Sequence, residues 1–439
     1  MSETSLIAIS IYSVPFLLIA LVYLRKRRKV ETMSAHSLRD SIDSGLTEPS
    51  SLHPSIDPAL CIGCGSCTSA CPEGKVLGLI GGKAVLVNPA DCIGHGACRR
   101  ACPENAITLV FGTETRGVDI PLLTPDFQTT VPGIFVAGEL GGMGLVKNAI
   151  EQGRQAMDSI TQAVKSTRNK ECEWDSIIVG CGPTGISAAL QAKQRGIKAL
   201  TIERSTVGGT VAHFPRMKMI MTAPARLPGV GKVKFSEVLK EDLIAFWKDV
   251  VEREKPELHE SENLQDIAKL KRGGFLVSTD KDTYRTRTVL LAMGRRGTPR
   301  KLNVPGEELT KVVYELEDPA QYRGKRVLVV GGGDSALEAA IACSKYSSGN
   351  VTLCYRGTGF SRAKRKNREA IDQLAASGDV TLLLSTVVKG ITSQAVVIDM
   401  NGKKKTLPND HVIVCAGGEV PIGFMKELGI EVVTKYGEV

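Results

Sequence analysis

The sequence predicts an α/β protein: two three-layer domains, a small cysteine-rich α+β module ahead of them, and one N-terminal helix of membrane-spanning length. Three observations carry this expectation. Two apolar strands run into glycine-rich turns and then into alanine-rich helices, at Asp175–Gly185 and Arg326–Ala336. Seven of the twelve cysteines lie between Cys61 and Cys102, in two similar runs. Leu6 to Leu24 is an apolar run broken only by Ser10, Ser13 and Pro15. A chain of 439 residues exceeds one ordinary domain.

The elements follow in chain order. As a helix, Leu6–Leu24 rises about 1.5 Å per residue and so spans roughly 30 Å, the thickness of a hydrocarbon core. Arg25, Lys26, Arg27, Arg28 and Lys29 follow at once, whereas only Glu3 precedes the run. This asymmetry predicts a single-pass anchor, residues 5–24, in the inner (cytoplasmic) membrane, with the rest of the chain facing the cytoplasm. A cleaved signal peptide is the alternative, but its positive region should come first. Of the net charge of +9, five units belong to this cluster. They read as attraction to anionic lipid, not as nucleic-acid binding. Val30–Pro58 is rich in Ser, Asp, Pro and Thr without apolar periodicity. With the basic cluster it makes residues 25–58 an expected flexible tether.

The first cysteine run is Cys61-x2-Cys64-x2-Cys67-x3-Cys71-Pro72, and the second is Cys92-x2-His95-x2-Cys98-x3-Cys102-Pro103. Thiolates are soft ligands that suit iron–sulfur clusters, and the x2 spacing lets three of them wrap one corner of a cube. Two structural zinc sites are the alternative, opposed by the duplication and the x3-Cys-Pro endings. A disulfide framework does not suit a reducing compartment. The runs resemble those of the bacterial two-cluster ferredoxins, in which the fourth cysteine of each run ligates the other cluster. The resemblance implies a 2×[4Fe–4S] ferredoxin-like domain at residues 59–111. It puts Cys61, Cys64, Cys67 and Cys102 on cluster one, and Cys92, Cys98 and Cys71 on cluster two. His95 stands where that family has a cysteine. Three readings stay open: His95 ligates the fourth iron and raises the potential, the corner is empty and the cluster is [3Fe–4S], or the ring is solvated.

The first glycine turn contains Gly180, Gly182 and Gly185. A second strand, Ala199–Glu203, ends in a carboxylate. Such glycines permit a tight turn and close backbone approach, the helix N-terminus receives a pyrophosphate, and Glu203 can bind ribose hydroxyls. The second turn contains Gly331, Gly333 and Ala336. Its second strand ends at Arg356 instead of a carboxylate, with Arg362, Lys364 and Arg365 close behind. Cations there suit a 2′-phosphate and so favour NADP over NAD. A solvated basic loop with NAD bound is the alternative.

Together with Val289–Gly294 and Val412–Gly418, these residues resemble the thioredoxin-reductase-like flavoproteins, including bacillithiol-disulfide-reductase-type and ferredoxin–NADP reductase-type members. The resemblance covers about residues 172–439. It implies a Rossmann-like FAD domain at 172–300, an inserted Rossmann-like NAD(P)H domain at 301–416 and a return to the FAD domain at 417–439. The family's closing segment is missing from the end but present upstream, as Thr129-Thr-Val-Pro-Gly-Ile-Phe-Val-Ala-Gly138-Glu139, followed by the helical stretch Lys147–Ala156. A circular permutation is inferred, with residues 112–165 as the moved segment. By family carry-over, Gly138 and Glu139 face the ribityl or phosphate region of the flavin, and Gly141, Gly142 and Gly144 let the backbone approach its pyrimidine end. Fusion of the cysteine module to this segment is expected to hold the clusters near the flavin.

The family's redox cysteines are absent. Tyr314–Lys325 contains none, and Thr184 stands where bacillithiol-type members have one. Cys181 lies one position off, and Cys172, Cys343, Cys354 and Cys415 are isolated, so packing is their default role. His213 is a weak flavin-side candidate against a structural histidine. No catalytic residue is assigned, because hydride transfer needs no protein acid or base. The expected protein is a membrane-anchored NAD(P)H oxidoreductase passing electrons, in either direction, between NADPH (or NADH), FAD and two iron–sulfur clusters. Its expected partners are a redox protein or membrane electron carrier, the bilayer and, as one allowed state, a second copy of the chain. A disulfide reductase and a non-catalytic redox relay or sensor are the rivals. Domain rotation is expected at a hinge near Arg296–Val304 and Gly417–Pro421.

Overall fold

The computed structural model describes residues 3–437 apart from 45, 50–51, 143, 167–170, 222–223, 236, 296, 348 and 361–362. Side chains are described from Val14 onward, those of Ser166, Met221 and Thr298 aside. The chain forms two compact units, Met1–Arg116 with Gly437–Val439, and Gly117–Tyr436.

In the first unit, strand His53–Ile56 pairs antiparallel with Ile107–Val110, and Leu77–Ile80 forms a hairpin with Lys83–Leu86. Two short helices, Ser66–Ala70 and Ala97–Arg100, carry Cys67 and Cys98 into the core, which also holds Leu77, Ala84 and Ile107. The expected tether is corrected in part. Helix Glu3–Asp43 runs through the basic cluster and continues well into the stretch read as flexible. Its inward face is built from serines, so apolar periodicity could not announce it. Ser34 and Ser41 are buried, and Ser41 Oγ donates to the Val87 carbonyl at 2.8 Å. The contact is close: a Cβ on Gly78 would lie 2.5 Å from Ser34 Oγ. Among the described residues no helix is long and apolar enough to cross a membrane, so the expected transmembrane helix is not borne out. The described side chains of the apolar run are only those of Val14–Leu24, about 16 Å of helix.

The second unit holds two sheets with helices packed on them. In the first, strands Leu258–His259, Ala199–Ile202, Trp174–Val179 and Thr283–Leu291 lie parallel and adjacent in that order. The nine-residue strand Thr283–Leu291 serves two partners on its other edge. Its first half pairs antiparallel with Phe275–Thr279, and its second half pairs parallel with Ile134–Val136. The upstream segment therefore completes the sheet built around the first glycine turn. Helix Val146–Ser166 packs beside helix Pro183–Arg195, with Ala156, Met157 and Ile160 fully buried against Ala188 and Ala192.

The second sheet is parallel, ordered Val312–Val313, His411–Val414, Val327–Val330, Val351–Cys354 and Val380–Leu383. Its strands are near-continuous apolar runs, as burial on both faces requires. Three antiparallel strands between Thr386 and Pro408 are appended to it. The two connections to the first sheet run side by side, since Thr298–Pro299 pairs antiparallel with Gly418–Glu419. Beyond them, Met425 and Ile430 enter the core of the first sheet together with Ile134, Ile177 and Leu291.

Candidate functional site

The cysteines of both runs gather in the small module. Cys61, Cys64, Cys67 and Cys102 line one cavity together with Ile56, Ala84 and Pro103. The fourth cysteine of the second run thus joins the first three of the first run. Burial pushes the Cys67 thiol up to about 11, with Cys61 and Cys64 adding to the rise. Burial likewise pushes Cys92 up to about 11, here with Cys98 and Cys71 adding. Besides burial, Cys98 in turn raises Cys71, and Cys102 raises Cys98, so the thiols of the two runs lie close to one another. A thiol raised in this way gives up its proton on binding a metal ion. Among the described residues no three His, Cys, Asp or Glu side chains converge closely enough for a single metal ion. Burial keeps the His95 imidazole below its ordinary range, in the neutral form that binds metals.

The first dinucleotide site forms at the carboxyl ends of the parallel strands, where open α/β sheets bind ligands. Gly180 follows Trp174–Val179, and Gly182 caps helix Pro183–Arg195. A Cβ on Gly185 would lie 1.8 Å from the Gly180 carbonyl oxygen, so helix and turn meet only because residue 185 is glycine. Glu203 is buried, and its carboxylate accepts the Cys181 N–H at 2.7 Å and the Ser205 N–H at 2.8 Å. It faces the turn with lone pairs left over for hydroxyl donors. The Gly138–Gly141 turn after strand Ile134–Val136 carries Glu139 to the same end of the sheet. A Cβ on Gly294 would be 3.6 Å from Glu139 Oε2, which places this carboxylate beside the exit of strand Thr283–Leu291.

Sequence reading missed the wedge that locks this segment in place. Thr184 is buried, and Cβ atoms on Gly138 and Gly153 would each come within 2.2 Å of it. Gln152 Oε1 accepts the Gly138 N–H at 2.8 Å. Thr184 is therefore a packing residue between two helices. Cys181 is also buried, and burial, aided by Glu203, holds its thiol far above the ordinary range. Burial pushes Cys343 and Cys354 up to about 12.

At the second turn, a Cβ on Gly331 would lie 2.3 Å from the Cys415 carbonyl oxygen and 2.9 Å from Ala336 Cβ. Ala336 is fully buried under the turn, and Gly333 is open. The Tyr355 ring lies against Gly332, where a Cβ would be 2.4 Å away, and stacks on Phe360 at 5.8 Å. Asp334 accepts from the Lys364 N–H at 2.8 Å and from Asn367 Nδ2 at 2.7 Å. It ties the basic stretch to the start of the fingerprint helix. Arg356 is exposed after strand Val351–Cys354. Arg362 lies outside the described residues.

The two sheets are held against each other by ion pairs. His213 Nδ1 meets Glu315 Oε2 at 2.9 Å, Lys218 Nζ meets Glu338 Oε2 at 2.8 Å, and Arg216 meets Asp318 at 3.3 Å. The hydrogen bond to Glu315 raises the His213 pKa. His213 is accordingly a docking residue.

The family described as "Pyridine nucleotide-disulphide oxidoreductase" matches residues 177–438. The chain belongs to that family. Ahead of it, the description "4Fe-4S dicluster domain" matches residues 53–103. This family member is 30% identical over 269 residues to bacilliredoxin reductase Bdr of Bacillus subtilis, covering 60% of the chain and 82% of that protein. It is 29% identical to a ferredoxin–NADP reductase of Ignicoccus hospitalis, covering 58% and 81% respectively. The solved bacillithiol disulfide reductase Bdr from Staphylococcus aureus is similar at 28% identity and a TM-score of 0.52, covering 59% of the chain and 80% of its own. The oxidoreductase is thus an FAD-dependent enzyme of the NAD(P)H-using kind that carries a 4Fe–4S dicluster domain in the same chain.

Proposed function

We propose that the protein exchanges electrons between NAD(P)H, FAD and its own two clusters, with a ferredoxin-type protein or a membrane carrier as the outside partner. When bound, FAD trades hydride with nicotinamide and single electrons with iron–sulfur centres, which joins two-electron to one-electron chemistry. The chain's residues bind and orient. Gly180 and Gly185 admit a pyrophosphate to the helix N-terminus, Glu203 accepts ribose hydroxyls, and Glu139 lines the flavin side beside Gly294. Gly331 and Gly333 do the same for the nicotinamide dinucleotide, and Arg356 with the basic stretch after it meets a 2′-phosphate.

One observation carries this reading. A dicluster module shares the chain with a flavoprotein fold in which the thiol nearest the first turn, Cys181, is buried and held protonated. Several relatives named ferredoxin–NADP reductase support it. Others are named for disulfide reduction, which requires an accessible thiolate.

Membrane attachment belongs to the same proposal. Phe16, Leu17, Leu18 and Ile19 are 57–73% exposed, so consecutive positions show apolar side chains on every face of the helix. Arg25–Lys29 follow directly. This supports an anchor in the cytoplasmic membrane with the redox domains on the cytoplasmic side.

The test is anaerobic titration of the holoprotein with NADPH, followed by flavin absorbance and EPR. Reduced-cluster signals should grow as the flavin band bleaches. A bleached flavin with silent clusters, in protein whose clusters dithionite does reduce at potentials NADPH can reach, would refute the electron path.

A further inference from the structure

Cys64 and His95 occupy equivalent places in the two halves of the cysteine module. Each lies between two glycines in the left-handed region: Gly63 and Gly65 at φ +69° and +78°, Gly94 and Gly96 at φ +78° and +68°. In each half the second glycine caps the short helix that brings in the next cysteine, Cys67 or Cys98. Neighbouring backbone fixes both loops. A Cβ on Gly63 would lie 1.9 Å from the Gly82 carbonyl oxygen, and one on Gly94 would lie 2.5 Å from that of Leu52. The same backbone template therefore carries residue 64 in one half and residue 95 in the other.

The two side chains differ in how they are satisfied. Cys64 lines the first cavity, and its thiol is partnered with Ser66 Oγ at 3.4 Å. His95 Nε2 is buried and has no hydrogen-bond partner. Its carbonyl is held by Arg100 Nη1 at 3.3 Å, but nothing in the protein answers the ring nitrogen. Leaving a buried nitrogen unanswered is costly. A solvated ring would not leave this atom dry, and a vacant corner would leave it without a role. A bond to iron satisfies it, and imidazole suits iron.

We propose that His95 ligates the second cluster through Nε2, completing a set with Cys71, Cys92 and Cys98, so that this cluster is a [4Fe–4S] centre with one imidazole. The proposal deepens the electron-transfer reading and depends on it only for the functional consequence. Replacing a thiolate by a neutral ligand removes one negative charge from the cluster and favours its reduced form. The second cluster is then the one that fills first.

The experiment uses anaerobic holoprotein reduced by dithionite, with iron and sulfide analysis, pulsed EPR for nitrogen coupling, and a redox titration. The wild type should hold about eight irons and eight sulfides, the content of two intact cubes. One reduced cluster should show directly bonded nitrogen, and the two midpoints should be separate. His95→Cys should abolish the nitrogen coupling and bring the higher midpoint down. His95→Ala should lose about one iron and give an oxidised [3Fe–4S] signal, as expected when a cube loses a corner. Wild-type protein with two complete clusters and no strong nitrogen coupling would overturn the proposal, and so would a wild-type [3Fe–4S] signal. If neither variant assembles, the wild-type coupling alone decides. Dithionite bypasses the flavin, so this result is independent of whether NADPH reduces the clusters.

Discussion

At the scale of single residues, the glycines of both turns were legible because a backbone that must approach another backbone can be written in only one letter. The sequence also put Glu203 at the end of the second strand, and the structure turns its carboxylate to the Cys181 N–H of the first turn. Thr184 was not legible. Its role as a wedge depends on Gly138 and Gly153, which reach it only through the packing of two helices. Cys181 and Arg356 give two tests. Cys181→Ala should leave NADPH-dependent reduction of an artificial acceptor unchanged, because the buried thiol takes no part. Loss of that activity in a folded, flavin-loaded variant would favour disulfide chemistry. Arg356→Gln should raise KM for NADPH roughly tenfold, the loss of one charge-assisted bond to phosphate, and leave KM for NADH in place. Steady-state kinetics with both cofactors reads the difference.

At the scale of elements, the strands were easier to read than the contacts between domains. Apolar runs such as Val327–Val330 announce a buried parallel strand, while the partners of a docking pair lie about a hundred residues apart and carry no local signal. Lys218 and Glu338, or His213 and Glu315, look like ordinary surface charges in the sequence. The helix beyond Val30 was hidden differently, since its buried face is serine against glycine. The His213–Glu315 pair predicts a pH dependence. The histidine pKa is raised in the folded protein, so its contribution is fully present below the unfolded value near 6.5. That contribution is lost as pH rises through the folded value. With both side chains about a third exposed, wild type should exceed His213→Asn by only about 0.5–1 kcal/mol at pH 6, and the gap should close in alkali. Thermal melts of the flavin-loaded proteins across pH measure it.

At the scale of the whole molecule, a segment far upstream in the chain completes the sheet built around the first glycine turn. Strand Ile134–Val136 pairs parallel with the second half of Thr283–Leu291, so its side chains reach the shared core despite the long separation in sequence. The N-terminal helix gives the prediction at this scale. Deleting residues 1–24 should move the protein from the membrane to the soluble fraction with its iron content intact. Deleting residues 1–43 should in addition strip the support of Ser34 and Ser41 from the cysteine module and lower iron retention. Fractionation and iron analysis of both truncations separate anchoring from packing.

The placement of Met425 and Ile430 in the core of the first sheet has a consequence for biosynthesis. The cysteine module is nearly complete once Val110 has left the ribosome, whereas the flavin-binding core must wait for more than three hundred further residues. The order of synthesis thus lets the cysteine module close before the flavin-binding core is complete.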